Sequence, residues 1–452
     1  MKIIIAGDGK VGLALTRQLL HEGHEVTIID SNPGVLQANM YQYDVLAVQG
    51  NAATMDALRQ AKVEQADLLI AATSADEINL LCCLAGKKMN SRLHTIARVR
   101  NPDYTEQLFA MREELGLSMT INPELSAARE IFHLLQFPSF LHRDSFGKGR
   151  VEIVGLRVDE GSRLEGAALH QLYQIAKVKV LVCVAVRGGQ AIIPSGSFVL
   201  QKGDRLFVTA RAVNLAQLIK NLGISKQKVR DVILVGGGHI SFYLAQRLLD
   251  AKVRVKIIEQ NPERARFLAE HLPGASVVLG DGSSQSLLAS EGLAGADALV
   301  TLTGMDEENI VLSMYGHSQG VSKVVTKVNR LEYSNMFVDL GVGSMVSPKE
   351  LCSALITRYV RGMQNKAGQI LALHTIAEGN AEAMEFRVDR TVLHRGVPLK
   401  DVPLRAGVLI SCITRGGQTI IPDGSSSFDV GDTVVVVTTL ESPFRQMNDL
   451  FA

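Results

Sequence analysis

Lys2-Ile3-Ile4-Ile5-Ala6-Gly7-Asp8-Gly9-Lys10-Val11-Gly12 opens the chain with a short apolar run and then three glycines at Gly-x-Gly-x-x-Gly spacing. The run reads as a buried strand, Lys2 to Ala6, and the segment after Gly9 reads as a helix reaching about His21. In that setting each glycine has a task. Gly7 permits a tight strand-to-helix turn, Gly9 lets a pyrophosphate approach the backbone, and Gly12 lets the helix pack close to the strand. The helix then presents free N–H groups and a favourable dipole to an anion. A second strand, Glu25 to Ile29, ends in Asp30, which lies 30 − 7 = 23 residues beyond Gly7. A carboxylate there accepts both ribose hydroxyls of an adenosine and repels a 2′-phosphate. The five features in order point to a Rossmann-type domain that takes an adenine dinucleotide, NAD(H) rather than its 2′-phosphorylated form.

The same stretch returns. Gly236-Gly237-Gly238-His239-Ile240-Ser241 follows the apolar run Val232 to Val235, displaced by 236 − 7 = 229 residues, and Glu259 stands where Asp30 stood. Thr73, Asp76 and Asn79 recur as Thr303, Asp306 and Asn309, and Arg98 as Lys327. Further on, Gly188-Gly189-Gln190 returns as Gly416-Gly417-Gln418, and Gly203-Asp204 as Gly431-Asp432. The chain is therefore an internal duplication. Two departures mark the second copy: Ser241 replaces the third glycine, and His239 replaces Lys10.

Each copy changes texture along its length. Its first part alternates short strands and amphipathic helices, the βαβ pattern of a parallel sheet. Its last part reads as a small, mostly β module, with a hairpin from Val178 to Val186, across Gly188-Gly189, into Gln190 to Pro194. Asn122-Pro123 and Ser347-Pro348 each precede a helical run read as a crossover helix, the first from Glu124 to Phe137. The expected class is α/β, two tandem repeats of a Rossmann-like parallel-sheet domain followed by a small α+β domain. The expected boundaries are 1–124 and 229–347 for the Rossmann-like domains, 144–228 and 369–452 for the small ones, and 125–143 and 348–368 for the crossovers.

Composition narrows the function. The 452 residues are 46% hydrophobic and 21% charged with a formal net charge of +1, so no basic field favours nucleic acid. No apolar run reaches the ~18 residues of a membrane span. The N-terminal run is too short and too charged for a secretory signal. Five cysteines at 82, 83, 183, 352 and 412 lack C-x-x-C spacing, which argues against a disulfide framework or a zinc site. Adjacent Cys82 and Cys83 read as small buried hydrophobes, and a reducing cytoplasm is the expected compartment.

Further positions fall at the carboxyl edge of the sheet, where ligands bind in open α/β folds. Gly50-Asn51 and Gly280-Asp281 follow the third strands, and turn chemistry alone would favour the same residues. Thr73 and Ser74 follow the fourth strand, and Ser74-x-x-Glu77 reads as a capping box whose duty is structural or ligand-binding. Arg98 and Lys327 end the fifth strands, where a cation reaches phosphate or is simply solvated; phosphate is the preferred reading for Arg98.

A Gly-x-Gly-x-x-Gly Rossmann domain in tandem with a small Gly-Gly-Gln, Gly-Asp module resembles RCK domains, also called KTN, or TrkN plus TrkC, domains. The duplicated form of this length is similar to the cytoplasmic regulatory subunits of bacterial Trk potassium-uptake systems. The resemblance implies NAD(H) as ligand, ATP or ADP as a second class, and no metal or catalytic residue. It implies a homo-oligomer, a dimer or a tetrameric ring, held to the inner membrane face by a K⁺-translocating subunit of the TrkH or TrkG type. In that family the nucleotide contacts are the Gly-rich turn, the acid ending the second strand, and residues after the third, fourth and fifth strands. They fall here on Gly7, Asp8, Gly9, Lys10, Val11, Asp30, Asn51, Thr73, Ser74 and Arg98, and on Gly236, Gly237, Gly238, His239, Ile240, Glu259, Asp281, Thr303 and Lys327. The competing reading is an NAD-dependent oxidoreductase, the commonest use of the fold. It needs an acid or base against the nicotinamide, and the sequence offers no nucleophile elbow, metal spacing or His-Asp pairing.

Overall fold

In the computed structural model the described residues are 1–101, 104, 107–108, 111–136, 142–147, 149–223, 229–329, 342–364, 370–377, 380–439, 444 and 446–452. The first Rossmann-like domain has strands β1 (Lys2–Ala6), β2 (Glu25–Asp30), β3 (Leu46–Gln49), β4 (Leu68–Ala71), β5 (His94–Arg98) and β6 (Met119–Ile121). They form one six-stranded sheet in the order β3-β2-β1-β4-β5-β6, parallel at each pairing. This is the doubly wound order, and its reversal between β1 and β4 opens the crevice where such folds bind ligands. Strands β1 and β4 are apolar runs buried on both faces, as a parallel sheet covered by helices requires. The helices are α1 (Lys10–His21), α2 (Pro33–Gln42), α3 (Met55–Gln60), α4 (Asp76–Met89) and the crossover helix α5 (Pro123–Gln136). Position 137, the expected end of α5, lies outside the described residues.

The first small module has β7 (His142–Phe146), β8 (Val151–Arg157), the short helix α6 (Leu172–Ala176), β9 (Val180–Arg187), β10 (Gln190–Ile192), β11 (Arg205–Arg211) and α7 (Leu215–Asn221). Its five strands pair in the order β10-β9-β11-β8-β7. Gly188 and Gly189, both at positive φ (57° and 81°), make the hairpin turn between β9 and β10. The duplicated Gly-Asp motif is structural. Asp204, 2% exposed, receives the Arg187 guanidinium at 2.8 and 2.6 Å and the Gln201 N–H at 2.8 Å. Arg415 grips Asp432 in the same way in the second module. Planar two-point pairing of this kind fixes one strand end against another.

The second Rossmann-like domain has β12 (Asp231–Val235), α8 (His239–Asp250), β13 (Arg254–Glu259), α9 (Pro262–His271), β14 (Ser276–Leu279), α10 (Gln285–Ser290), β15 (Ala298–Thr301), α11 (Asp306–Ser318), β16 (Lys323–Lys327) and β17 (Ser344–Val346). Its sheet order, β14-β13-β12-β15-β16-β17, repeats the first. The crossover helix α12 (Pro348–Gln364) leads to β18 (Ile370–Ile376), β19 (Ala381–Arg387), β20 (Val408–Arg415), β21 (Gln418–Ile420) and β22 (Thr433–Thr438), ordered β18-β19-β22-β20-β21.

Like gathers with like. Met1–Phe132 and Arg230–Thr357 make one compact unit, the two Rossmann-like domains, while His133–Val229 and Arg358–Ala452 make the other. In the second unit the facing sheets share an apolar core that includes Phe146, Ile153, Cys183 and Phe207 from one module with Ala383, Cys412, Val435 and Val437 from the other. All five cysteines are buried, as expected of small hydrophobes. Burial raises their thiols, Cys183 to about 11 and Cys412 to about 12, so they stay protonated and unreactive at neutral pH. Among the described residues, no helix is long and apolar enough to cross a membrane, and no cluster of His, Cys, Asp and Glu could hold a metal.

Candidate functional site

The glycine-rich turn is shaped by close backbone approach. Gly7 has φ +93°, and a Cβ on it would lie 2.7 Å from the Thr73 backbone; a Cβ on Gly12 would lie 2.0 Å from the Gly7 carbonyl oxygen. Only glycine at both places lets α1 start this close to the ends of β1 and β4. The second copy solves the same problem differently. Ser241 is fully buried and its hydroxyl donates to the Gly236 carbonyl, so the missing third glycine leaves the turn and α8 in place.

How the helices begin separates the site from its surroundings. Asn32, Thr54, Asn261 and Ser284 cap α2, α3, α9 and α10 through their side chains. Helices α1, α4, α8 and α11, which follow the first and fourth strands of each sheet, begin at Gly9, Ala75, Gly238 and Met305 with no side-chain cap. Open N–H groups and an uncompensated helix dipole are what an anion needs. The capping box read at Ser74-x-x-Glu77 is thereby corrected. The N-cap is Ala75, because the Thr73 hydroxyl turns the loop inward, accepting the Ala75 N–H at 3.4 Å and donating to Asn79 Oδ1 at 2.7 Å. Glu77 instead accepts the Tyr104 hydroxyl at 2.7 Å.

Two repeated residues, Asn79 and Asp76, organise the edge. Asn79 is fully buried; its Oδ1 accepts the Thr73 N–H at 2.8 Å and its Nδ2 donates to the Arg98 carbonyl at 2.9 Å, tying the β4 loop to the end of β5. Asn309 does the same for Thr303 and Lys327 at 2.8 and 3.1 Å. Asp76 accepts the N–H groups of Arg100 and Asn101 at 2.8 and 2.9 Å, and Asp306 accepts that of Asn329 at 2.7 Å. The repeat displayed these residues, but their duty in holding two loops together was not legible in it.

At the end of β2, Asp30 accepts the N–H groups of Asp8 and Asn32 at 2.7 and 2.8 Å, which fixes the orientation of its carboxylate. Asp8 lies behind it, 3% exposed, and accepts the Asn39 amide. Burial, opposed by that amide and assisted by the charge of Asp30, raises the Asp8 carboxyl from 3.8 to about 6. A carboxyl whose folded value is raised favours the fold while protonated, so its contribution is lost as pH rises from about 4 through about 6. The second copy has Gly237 and Leu268 in place of this pair. Glu259 accepts the Gly237 N–H at 2.6 Å, and Arg264 donates to the Gly237 carbonyl at 2.6 Å.

These parts surround a cavity of about 870 Å³. From the first copy it is lined by Gly7, Gly9, Lys10, Val11, Asp30, Asn51, Thr73, Ser74 and Arg98, together with Glu124 at the start of α5. Its further wall comes from the second copy: Gly238, His239, Ile240, Ser241, Lys327, Asn329 and Lys349. Asp8, Gly12, Gly236, Gly237, Glu259, Asp281 and Thr303 are outside this lining. Two uncapped helix starts, α1 and α8, thus open on one space. Lys10, Arg98, Lys327 and Lys349 supply four cations there against the carboxylates of Asp30 and Glu124.

Arg98 is engaged already, by Glu124 at 2.9 Å, with both side chains largely buried. Lys327 donates to the Thr303 carbonyl at 2.7 Å, and its ammonium is held below the usual lysine range, first by burial. His239, at the head of α8, is likewise held below 6.5, by partial desolvation first and then by the Arg264 charge. Glu124, Lys349 and Asn329 were missed in the sequence because their distance from either Gly-rich turn gave no signal. A His-carboxylate pair was missed too, and corrects the expectation of none. His374 meets Asp144 at 2.8 Å, 230 residues away, in the unit of small modules. That pair joins β18 to β7, packed edge-on against Phe146, and is accounted for as a link between modules.

Two Rossmann-like domains that open uncapped helix starts on one cavity have the architecture of a nucleotide-binding fold. Residues 3–123 and 232–348 match the TrkA-N domain, and residues 153–223 and 383–451 match the TrkA-C domain. The chain belongs to the TrkA family. It is similar to a Trk system potassium uptake protein TrkA homolog of Archaeoglobus fulgidus, 33% identical with 96% of this chain and 97% of that one covered. It is similar also to the Trk system potassium uptake protein TrkA of Vibrio alginolyticus, 30% identical over 100% of this chain and 98% of that one. Among solved structures, the GsuK channel bound to NAD shares the fold at TM-score 0.63 and 18% identity, covering 98% of this chain and 77% of that one.

Proposed function

We propose that this chain is a cytoplasmic regulatory subunit of a Trk-type potassium-uptake system, which binds NAD(H), and ATP or ADP as a second class, and controls K⁺ movement through a separate membrane subunit. The observation that supports it best is the cavity, where two uncapped helix starts and four cations from both copies meet the ribose-type carboxylate of Asp30. The residues fit the ligand. Asp30 would take the adenosine ribose, and the α1 turn together with Arg98 and Lys327 the two charges of the pyrophosphate. Bound there, the dinucleotide supplies charge and bridging contacts and undergoes no reaction. The names of the relatives support a potassium-uptake role, and structures of the GsuK channel bound to NAD and to ADP support the ligand class.

Regulation requires that the ligand bind one arrangement of the two copies better than another, since equal affinity shifts nothing. A cavity walled by both copies provides that difference: any change in their spacing moves Lys327 and His239 relative to Asp30. The membrane partner would be of the TrkH or TrkG type, with the chain peripheral on the inner face and assembled as a homo-oligomer. Titrating the purified chain with NAD⁺, NADH, NADPH and ATP by calorimetry tests the reading. Micromolar NAD(H) binding, with NADPH at least tenfold weaker and no turnover of hydroxy acids or aldehydes, is expected; no binding, or hydride transfer, would overturn it.

A further inference from the structure

His239 stands at the first position of α8, where the first copy has Lys10, and it lines the same cavity as Asp30. Three physical facts bear on its charge. A helix N-terminus opposes a cation. Although the residue is exposed, the cavity wall partly desolvates its ring, which disfavours the imidazolium. The charged groups around it are mostly positive: Arg264 on α9 and Arg100 after β5, with Lys10 on α1, Arg98 at the end of β5, Lys327 at the end of β16 and Lys349 on α12 lining the same space. The opposing carboxylates are Glu124 on α5 and Asp76 on α4, with Asp30 at the end of β2 lining the same space. Glu124 is already bonded to Arg98, and Asp76 to the backbone of Arg100 and Asn101. The imidazole is accordingly kept neutral near pH 7, its protonation pushed below 6.5.

A pyrophosphate entering this space reverses the local field. Its two negative charges compensate the helix dipole and the arginines, and remove the reason for His239 to stay neutral. We propose that nucleotide binding in this cavity is coupled to uptake of a proton at His239, so that the second copy makes the ligand held by the first sensitive to pH. This rests on the nucleotide reading and adds its regulation. Protonation converts His239 into the cation that Lys10 is permanently, so the crevice becomes evenly cationic on both walls only when ligand and proton are both bound. The ligand then binds more tightly as pH falls through the neutral range.

The test uses NAD⁺, whose pyrophosphate does not titrate between pH 6 and 8, and calorimetry of the full chain in buffers of differing ionisation enthalpy. Binding near pH 7 is expected to take up between about a third of a proton and one proton, and affinity to rise about tenfold from pH 8 to pH 6 by linkage. His239→Gln should abolish the uptake and flatten the profile. His239→Lys should bind at pH 8 as the native chain does at pH 6, again without pH dependence. Asp8 titrates in the same window, at about 6, so Asp8→Asn must retain the uptake. Proton uptake that persists in His239→Gln, or disappears in Asp8→Asn, overturns the proposal. Binding without uptake in the native chain overturns it while leaving the nucleotide reading intact; absence of NAD⁺ binding at every pH overturns both. Should the glutamine variant fold poorly, the imidazole signal of His239 followed by NMR decides the matter, since its midpoint must rise when NAD⁺ is added.

Discussion

Replacing Asp30 by alanine is expected to weaken NAD(H) binding about 100- to 1,000-fold. The carboxylate sits at the end of β2, held by the N–H groups of Asp8 and Asn32, so its position does not depend on the ligand. Two ribose hydroxyls donating to an ionised acceptor are worth about 3–4 kcal/mol together at ~1.5–2 kcal/mol each. Alanine removes that and also leaves two N–H donors at the turn without their acceptor, so unfolding should be followed beside binding. Asp30→Asn separates the effects in part, since its one amide oxygen still accepts one of the two backbone N–H groups, which reach different carboxylate oxygens, while the charge is lost. It should be less destabilised than the alanine variant, bind NAD(H) at least tenfold more weakly than the native chain, and discriminate less against NADPH. Unchanged affinity in both variants would place the ribose elsewhere.

The largest expected loss of stability comes from Asn79→Ala. This fully buried amide accepts the Thr73 N–H and hydroxyl and donates to the Thr73 and Arg98 carbonyls. Alanine orphans several buried polar groups at once and opens a gap, which costs about 2–4 kcal/mol. Because the chain forms two compact units, the loss should fall on one transition in denaturant rather than on both. Nucleotide binding should weaken as well, because Thr73 and Arg98 lose the residue that holds their loops together. Asn79→Asp should be at least as damaging, since it sets a carboxylate oxygen against two carbonyls. A variant that unfolds with the native midpoint would show that the amide is not the anchor of this edge.

Much of the architecture was legible because it depends on local rules. The spacing of Gly7, Gly9 and Gly12 between a buried strand and a helix, with Asp30 at the end of β2, dictates a doubly wound sheet whatever surrounds it. The recurrence of Asn79 as Asn309 and of Asp204 as Asp432 announced the duplication, although the duty of each as a clamp emerged only from the pairings. Legibility failed where the outcome depends on packing between distant segments. The pairing of Arg98 with Glu124, and of His374 with Asp144, joins residues whose separation carries no periodic signal. Ser74-x-x-Glu77 misled because Thr73 hydrogen-bonds inward and makes Ala75 the helix boundary. The merging of the two Gly-rich turns on one cavity could not be read from either copy, since each copy taken alone describes a complete site.

That merging is the central claim, and Lys327→Met tests it most directly. Lys327 belongs to the second copy yet lines the cavity with Asp30 and Lys10, so its loss should weaken the same NAD⁺-binding event that Asp30→Ala weakens. Calorimetric titration is expected to show that event weakened about tenfold, as loss of about 1.4 kcal/mol from one charge-assisted contact requires. If the Asp30-dependent event keeps its native affinity in Lys327→Met, the two copies bind independently and the shared cavity has no part in recognising the nucleotide.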